Sequence, residues 1–388
     1  MVNDVSTAYD PAWDDNSFFT KVEILTEQAS PDFSKTLNMA FIGKVSSGKS
    51  SLINAFLKRD RVNILAAVGA KSGVTTKLKI LQLNEHFRLI DSPGLDDVRS
   101  ENTQVTKEFL EHIDVGVLVV TGSSDGTQKK YIDDLRASCS RIFVVLNKID
   151  QWDRNTPSTL EGIKEQWKTD LHIDEIYPVC AFGYDPETKS NEALDVRGVD
   201  ELRIDIESFL QGQGKDLLFA RQMAEKQSYA IKIIASALVA VSGQVFIPGS
   251  AAFIVATQAS AIASLYYIYN GKALAPKAAI ALLSSFASEA ISSNIFLFVQ
   301  SFIPPTGLLD IPAVIAAITT TVAMLATVNN FLATGAKLEE KQRLQEAFRK
   351  NKAQATKEFF FNIDLEKLRN PDYIRETVKR FIMGQAIA

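Results

Sequence analysis

The feature that most constrains the fold of this chain is a glycine-rich turn, Gly43-Lys-Val-Ser-Ser-Gly-Lys-Ser50, which lies between two apolar runs. Residues 37–42 before it read as a buried strand, and residues 51–57 after it read as a helix. A Gly-x-x-x-x-Gly-Lys-Ser turn in that setting wraps backbone N–H groups and a helix N-terminus around a phosphate group. The pattern predicts a binding site for a nucleoside triphosphate. Its predicted contacts are Gly43, Ser46, Ser47, Gly48, Lys49, Ser50 and Ser51.

Two side chains of the turn have predicted chemical roles. The Lys49 ammonium group reaches the β- and γ-phosphate oxygens and is a predicted catalytic group, and the Ser50 hydroxyl group is a predicted ligand of Mg²⁺. A loop at residues 71–77 offers a second hydroxyl ligand, with Thr76 as the first choice and Thr75 as the close alternative. Thr76 would also donate its backbone N–H to the γ-phosphate, and we therefore count it among the predicted catalytic residues.

A second motif, Asp91-Ser-Pro-Gly94, follows the apolar run 87–90, which reads as a buried strand. The Asp91 carboxylate emerges where that strand ends and can hold a Mg²⁺-bound water, so it completes the predicted metal site. The Gly94 N–H can reach the γ-phosphate because glycine has no side chain in the way.

A third motif, Asn147-Lys-Ile-Asp150, comes directly after another strand-like apolar run. The Asp150 carboxylate can accept hydrogen bonds from the N1–H and N2 amino groups of guanine, whereas adenine has no matching donors, so the sequence predicts GTP and GDP as ligands. The aliphatic stem of Lys148 would cover one face of the base. The backbone N–H groups of Cys180 and Ala181 are predicted to meet the guanine carbonyl group. A small, buried core residue is the open alternative for Cys180.

The order of the segments predicts the fold class. From residue 36 to about 212, apolar strand-like runs alternate with polar helical stretches, which is typical of a doubly wound α/β domain with its nucleotide at the carboxyl ends of the strands. Residues 1–35 are predicted to form an N-terminal helical extension, and residues 213–388 an all-α domain. We expect the N- and C-terminal segments to build the helical part together.

These motifs resemble those of the translation-factor class of P-loop GTPases, and most closely its Era-type and dynamin-type branches. Leu95 stands where small signalling GTPases carry the Gln that orients the attacking water, and a leucine cannot do that. Ser46 is similar to the corresponding residue of the dynamins. The resemblance implies that Ser46 helps to hold K⁺ or Na⁺ when two G domains meet, as a further catalytic residue. It also implies a homodimer and slow basal conversion of GTP to GDP and phosphate.

The composition changes sharply after Lys232. Charged residues make up 23% of the whole chain, but between residues 233 and 336 they are limited to Lys272, Lys277, Glu289 and Asp310. Such a segment must be hidden from water. Its predicted helices run near 229–243, 250–269, 277–299 and 311–335, with breaks at Pro248-Gly249, Pro276 and Pro304-Pro305. The string Gln-x-Phe-Ile-Pro at residues 244–248 recurs at 300–304 and indicates a weak internal repeat.

Three arrangements of the apolar helices, at about 229–336, stay open at the level of sequence. Helices of about 20 apolar residues are long enough to span a bilayer, but their many Ser, Thr and Asn residues would need partners there. A soluble bundle and a hairpin that inserts into one leaflet are the alternatives. This half is similar in composition to a bacterial family with an Era-like G domain followed by small-residue-rich helices, and distantly to the immunity-related GTPases. The resemblance implies contact with membrane lipid.

Charge and cysteine content limit the partners and the compartment. The net charge of −4 gives no broad basic field, so we do not expect a nucleic-acid partner, although residues 341–357 are basic. Two cysteines fit a reducing cytosol. We expect a cytoplasmic GTP-hydrolysing switch, with peripheral or integral membrane contact left open, that couples nucleotide state to membrane association or self-assembly. The alternative functions are an Era-like assembly factor acting on RNA or a protein complex, and a GTP-dependent scaffold.

Overall fold

The computed structural model of the chain describes residues 15–66, 68, 79–92, 112–124, 126, 128–184, 192–244, 250–286, 311–362, 367 and 370–385. The chain divides into two compact units. One is Phe33–Glu225, and the other combines Met1–Asp32 with Lys226–Ala388.

The unit Phe33–Glu225 is a mixed α/β structure. Its strands are β1 (Leu37–Ile42), β2 (Lys79–Gln82), β3 (Phe87–Ser92), β4 (Ile113–Val120), β5 (Cys139–Leu146), β6 (Tyr177–Pro178), β7 (Cys180–Phe182) and β8 (Asp195–Arg197). Its helices are α2 (Lys49–Phe56), α3 (Lys129–Ser138), α4 (Pro157–Leu171), α5 (Val199–Gly212) and α6 (Asp216–Ala220), with a 3₁₀ turn at Ile149–Trp152. The predicted fold class, a doubly wound α/β domain, is confirmed.

The main sheet has the strand order β2-β3-β1-β4-β5-β6. Among the described strands of this sheet, only β2 runs antiparallel to its neighbour, β3. All residues of β1 and of β4 are buried, which explains why both segments are continuous apolar runs rather than alternating ones. Because β1, β3, β4 and β5 are parallel, their carboxyl ends meet at one edge of the sheet, where the loops that follow them lie side by side.

Strand β6 forms one edge of the main sheet and contains only Tyr177 and Pro178. Proline has no backbone N–H. Gly198 lies close to the Pro178 carbonyl group. A Cβ atom built on Gly198 would be 2.0 Å from the Pro178 carbonyl oxygen. Gly198 also has a positive φ of 71°, a conformation that glycine adopts at no steric cost.

The α/β unit extends past its predicted end at residue 212, as far as Glu225. The reason is the aromatic packing of α6. The Phe219 ring lies 5.2 Å from the Phe56 ring and 6.4 Å from the Phe87 ring, measured between centroids. Lys215, just before α6, donates to Asp114 Oδ1 at 2.6 Å. These contacts attach the segment after α5 to the sheet.

The other unit contains seven helices within the part of the chain that the structure describes. They are α1 (Asp15–Ala29), α7 (Gln227–Gln244), α8 (Ala251–Asn270), α9 (Pro276–Ser284), α10 (Ile311–Ala333), α11 (Lys341–Asn362) and α12 (Pro371–Gln385). Three of the four predicted apolar helices lie within two residues of their expected ends. The helix expected at 277–299 begins at Pro276 and ends at Ser284, and residues 287–310 lie outside the described residues, as do both copies of the repeat beyond Gln244.

The helices of this unit are held together mainly by apolar packing. Helix α8 packs against α1, α7, α9 and α10, and α10 packs against α7 and α11. Small residues such as Ala317, which clusters with Val241 and Ile254, allow close approach. The N-terminal segment thus shares one bundle with the C-terminal helices.

Buried hydrogen bonds join helices of this unit. Gln258 Nε2 on α8 donates to Thr321 Oγ1 on α10, and Asn351 Nδ2 on α11 donates to Thr327 Oγ1, both at 2.8 Å. Two helices among the described residues, Ala251–Asn270 and Ile315–Ala333, could span a membrane by length and composition, each with a mean hydropathy of 1.5. Core helices of soluble proteins pass the same test, and 78% and 89% of these windows are buried inside the fold.

We predict that Arg203 on α5 stabilises the α/β unit by holding the end of α2. Its guanidinium group donates to the carbonyl oxygens of Phe56 (2.8 Å) and Ala55 (3.1 Å) and pairs with Asp200. Arg203→Ala should lower the free energy of unfolding by about 3 kcal/mol, because two buried carbonyl groups lose a charged donor. The melting temperature of this unit should fall by roughly 6–12 °C in scanning calorimetry.

Asp200→Ala is the matched control for Arg203→Ala. The Asp200 side chain is 72% exposed, so its loss should cost no more than about 1 kcal/mol. Equal effects of the two substitutions would show that Arg203 stabilises the unit through its ion pair with Asp200. The carbonyl groups at the end of α2 would then contribute little.

Candidate functional site

The glycine-rich turn after β1 packs too closely against its neighbours to carry side chains at its two glycines. A Cβ atom on Gly43 would lie 2.2 Å from the carbonyl oxygen of Val119 on β4. A Cβ atom on Gly48 would lie 2.4 Å from Asn147 Nδ2, and the φ angle of Gly48 is +85°. The turn is therefore pressed against the carboxyl ends of β4 and β5, and its glycines are required by contact as well as by conformation.

The Lys49 ammonium group lies within the curve of this turn. It donates to the carbonyl oxygens of Gly43 at 2.9 Å and Lys44 at 3.0 Å. Burial lowers the pKa of Lys49 from its ordinary value, and the negative charge of Asp91 acts in the opposite direction. Phosphate oxygens at this position would bind the charged form of Lys49, and the negative charge of Asp91 favours that form.

The predicted Mg²⁺ ligands Ser50 and Asp91 are adjacent. Ser50 Oγ, at the start of α2, donates to Asp91 Oδ2, at the end of β3, at 2.6 Å. A hydroxyl and a carboxylate oxygen are hard ligands of the type that Mg²⁺ prefers, usually together with phosphate oxygens and water. Two such ligands fit Mg²⁺ held jointly with a nucleotide, which would supply further oxygen ligands. Among the described residues, no group of three or more His, Cys, Asp or Glu side chains that could hold a metal occurs.

Asn147 joins the end of β5 to the glycine-rich turn. Its Nδ2 atom donates to the Ser47 carbonyl oxygen at 2.9 Å, and its backbone N–H donates to Val120 O at 2.9 Å. Asn147 Oδ1 and Ser47 Oγ are both buried and have no hydrogen-bond partner within the described part of the chain. Unsatisfied buried polar atoms are rare in folded proteins, and two of them here suit a site that binds a polar ligand.

Asp150 is held by a neighbouring thiol group. Cys180 Sγ on β7 donates to Asp150 Oδ1 at 3.4 Å, and burial is the largest cause that raises the pKa of Cys180 to about 12. The thiol is therefore protonated at neutral pH and acts as a donor. Lys148 has a positive φ of 64°, and Ile149 N donates to Val179 O at 3.2 Å, so the loops after β5 and β6 are joined.

Some of the remaining predicted contact residues are among the described residues, and others are not. Ser46 lies at the exposed tip of the glycine-rich turn with a positive φ of 63°. Ser51 is half-buried in α2, and Ala181 is buried in β7. Thr75, Thr76 and Gly94 lie outside the described residues. Their roles, like those of the other predicted site residues, stay predictions.

Two further residues order the site, and the motifs did not indicate either of them. Asn54, on α2, bonds to Ser50 and to the loop at Leu65 and Ala66. Trp167, on α4, donates from Nε1 to Gly122 O at 2.8 Å and fixes the loop after β4. In the sequence, Asn54 stands out because asparagine is a poor helix former and the helical stretch around it is otherwise apolar.

The sheet order, the glycine-rich turn before α2, and the linked Ser50–Asp91 and Ser47–Asn147 pairs define a P-loop GTPase domain. Residues 38–148 match the family model described as "50S ribosome-binding GTPase". This range includes the glycine-rich turn, Asp91 and Asn147. The match agrees with the resemblance drawn from the motifs.

Several curated GTPases are similar to this chain over the same region. GTPase Der from a Nitratiruptor species is 31% identical over 143 residues, 34% of this chain and 29% of Der. The tRNA modification GTPase MnmE from Thermotoga maritima is 27% identical over 206 residues, 47% of this chain and 44% of MnmE. The chain thus spans less than half the length of these relatives.

A solved structure of Era in complex with MgGDPNP and nucleotides 1506–1542 of 16S ribosomal RNA is also similar to the chain. It is 19% identical, covers 53% of this chain and 67% of Era, and superposes with a TM-score of 0.32.

We predict that Gly48→Ala weakens nucleotide binding. The added methyl group would push Asn147 and the glycine-rich turn apart, since only 2.4 Å separates its position from Asn147 Nδ2. Overpacking of this kind costs about 1–3 kcal/mol, so the affinity for GDP should fall about 5- to 150-fold in a titration with a fluorescent GDP derivative.

Gly162→Ala is the control for this substitution. Gly162 lies within α4 with no atom within 4 Å of its added Cβ, and alanine favours helix. Its GDP affinity should stay within about twofold of the unmodified protein. An unchanged affinity in Gly48→Ala would contradict the close contact.

Proposed function

We propose that this chain binds GTP with Mg²⁺, hydrolyses it to GDP and phosphate, and couples its nucleotide state to membrane association or self-assembly through the helical unit. The observation that carries the nucleotide part is the pairing of Ser50 with Asp91, at 2.6 Å, next to the Ser47–Asn147 contact. The glycine-rich turn, the candidate metal pair and the loop that carries Asp150 follow strands whose carboxyl ends lie at one edge of the sheet, which supports this proposal.

Each group of the site has a defined task in this proposal. Lys49 neutralises charge on the β- and γ-phosphate oxygens, and its two carbonyl contacts, on Gly43 and Lys44, hold it in position. Ser50 and Asp91, with Thr76, are the residues that would hold Mg²⁺, which supplies further charge neutralisation on the phosphates. The names of the similar proteins, GTPase Der and tRNA modification GTPase MnmE, support the reaction class.

The catalytic residues of the proposed switch are incomplete within one chain. Leu95 has no polar group with which to orient an attacking water. Ser46 lies exposed at the tip of the turn, where a second G domain can reach it. We therefore propose that two G domains meet at this face and that a bound K⁺ or Na⁺ supplies the missing positive charge. Turnover by the separate monomer is then slow.

The helical unit supplies the proposed output. Helices α8 and α10 are apolar along their length, which supports contact with lipid in one state. In the packed bundle, however, most of both helices is buried, and Gln258–Thr321 and Asn351–Thr327 hydrogen bonds join α8, α10 and α11. Contact between these helices and lipid therefore requires the bundle to open, and GTP binding is the proposed trigger.

We predict that Asp150→Asn changes the base preference. The substitution removes a carboxylate that accepts two guanine donors, so the affinity for GTP should fall at least about 100-fold. The affinity for xanthosine triphosphate should rise, because xanthine carries a carbonyl group that the asparagine amide can meet. Competition titrations against a fluorescent GDP derivative measure both effects.

Asp153→Asn is the control for the base preference. Asp153 lies three residues further on and pairs with Arg197 at 2.8 Å on the exposed surface. Its substitution should leave both affinities within about twofold of the unmodified protein. A weak site with unchanged preference in Asp150→Asn would show that the chain does not select guanine through this carboxylate.

We further predict that turnover and membrane binding both depend on assembly with GTP. GTP turnover per molecule should rise at least about tenfold as the protein concentration is increased in K⁺ or Na⁺, since dimerisation supplies the missing charge. With a non-hydrolysable GTP analogue, more protein should sediment with anionic lipid vesicles than with GDP. Turnover independent of concentration and cation, with no vesicle binding in either state, would contradict the switch.

An Era-like assembly factor acting on RNA or a protein complex is the second candidate. The supporting observation is that α11 presents exposed basic residues, Lys341, Arg343, Arg349, Lys350 and Lys357, of which only Arg343 has a described ion-pair partner, Glu340. Retention of structured RNA in a gel shift, without vesicle binding, would favour this candidate over the membrane switch.

A further inference from the structure

Helix α1 packs along α8, an apolar helix with the length and composition of a membrane span. Phe18 and Val22, one helical turn apart on α1, are buried in the bundle. Ser260 Oγ, in the middle of α8, donates to the Ala29 carbonyl oxygen at the end of α1 at 2.9 Å. Helix α1 therefore covers part of the surface of α8.

The face of α8 that α1 covers is suited to hydrocarbon. Ser264 Oγ donates to the Ser260 carbonyl oxygen at 2.9 Å, so this hydroxyl group is satisfied within α8 itself. Ser260 can make the same kind of bond within the helix once Ala29 has left. Phe253 lies two helical turns before Ser260, and its ring centroid is 5.9 Å from Lys21 Nζ on α1. The polar groups of this face therefore do not require a neighbouring helix.

Removal of α1 leaves the buried polar contact between α8 and α10 intact. Separation of α8 from α10 breaks the hydrogen bond from Gln258 to Thr321 and leaves both polar groups in hydrocarbon. The ion pair between Glu23 on α1 and Lys277 on α9 adds little to hold α1 in place, because the Lys277 side chain is 80% exposed. Helix α1 is therefore a part of the bundle whose removal exposes apolar surface without breaking the Gln258–Thr321 bond.

We propose that α1 is a removable cover over a lipid-binding face of α8, and that lipid contact begins when α1 leaves this face while the other helices stay packed. The inference rests on the proposed function, because it names the surface and the first step of the opening which that function requires. Residues 30–36 connect α1 directly to β1, which precedes the glycine-rich turn. The cover and the proposed nucleotide site are thus neighbours along the chain.

The first test measures how much of the full chain sediments with vesicles of equal parts of phosphatidylcholine and phosphatidylglycerol. Val22→Asp places an unpaired charge on the buried face of α1, which is costly, so α1 should leave α8. With GDP, this variant should bind vesicles to within about twofold of the unmodified chain with a non-hydrolysable GTP analogue. Ile24→Asp, at an exposed position of the same helix, is the matched control and should bind as the unmodified chain does. Equal binding by the two variants would overturn the inference.

A cross-linked form tests the same step without a change to the buried contact, and it decides the question if Val22→Asp does not fold. Glu23 on α1 and Lys277 on α9 approach to 3.5 Å at the surface. In the double variant Glu23→Cys with Lys277→Cys, a short cleavable bis-maleimide should hold α1 in place and lower vesicle binding with the GTP analogue at least about tenfold. Cleavage of the linker should restore binding. The unmodified chain treated with the same reagent is the control, because Cys139 is half-buried and Cys180 is buried. Undiminished binding by the cross-linked form would overturn the inference.

A third measurement identifies the helix that meets the lipid. Phe253 on α8 and Phe19 on α1 are exposed to similar extents, 44% and 40%. With bromine-labelled lipid and the GTP analogue, tryptophan fluorescence should be quenched more in Phe253→Trp than in the unmodified chain, and no more in Phe19→Trp. Additional quenching in Phe19→Trp alone would overturn the inference, because α1 would then be the lipid-binding helix.

The outcomes separate this inference from the proposed function. Failure of the unmodified chain to bind vesicles with either nucleotide would contradict the proposed membrane function itself. Nucleotide-dependent vesicle binding that the cross-link does not change would contradict only the role of α1 as a cover.

Discussion

The close approach of Gly48 to Asn147 is the contact on which the candidate site depends. It allows Asn147 Nδ2 to reach the Ser47 carbonyl oxygen at 2.9 Å, and this bond joins the glycine-rich turn to the loop that carries Asp150. In the proposed nucleotide site, this hydrogen bond limits the movement of the turn relative to the loop. A surface that is already ordered loses little conformational freedom on binding, so more of the interaction energy remains as affinity.

The helical unit combines apolar helices with polar contacts between helices, and each feature opposes separation of the helices in a different medium. Because the helix surfaces are apolar, the separated helices would be stable only in lipid or against another protein. The bonds Gln258–Thr321 and Asn351–Thr327, and Tyr269 with Asn329 at 2.8 Å, specify how the helices pack. Each contributes about 1 kcal/mol net in water, and each would leave unpaired polar groups behind in hydrocarbon. The helices of the bundle therefore pack in one specific arrangement.

Sequence patterns predicted the parts of the molecule that local chemistry determines and missed those that depend on residues far apart in the chain. Apolar runs predicted β1, β4, β5 and most apolar helices, and the glycine-rich turn was readable because steric limits within a few residues determine its residue types. The extension of the α/β unit to Glu225, by contrast, results from packing of Phe219 on Phe56 and Phe87, which no local pattern encodes. A buried polar residue, Asn54, was visible in an apolar helix, but its partners were not.

The two-residue edge strand β6 limits how copies of this unit can associate. An open sheet edge normally offers backbone donors and acceptors with which a strand from another molecule can pair. Here Pro178 has no N–H group to donate, and Gly198 covers its carbonyl oxygen. At this edge the sheet cannot be continued into a neighbouring molecule. Association of α/β units on the β6 side must therefore use loops and faces, which can separate again, rather than an intermolecular sheet.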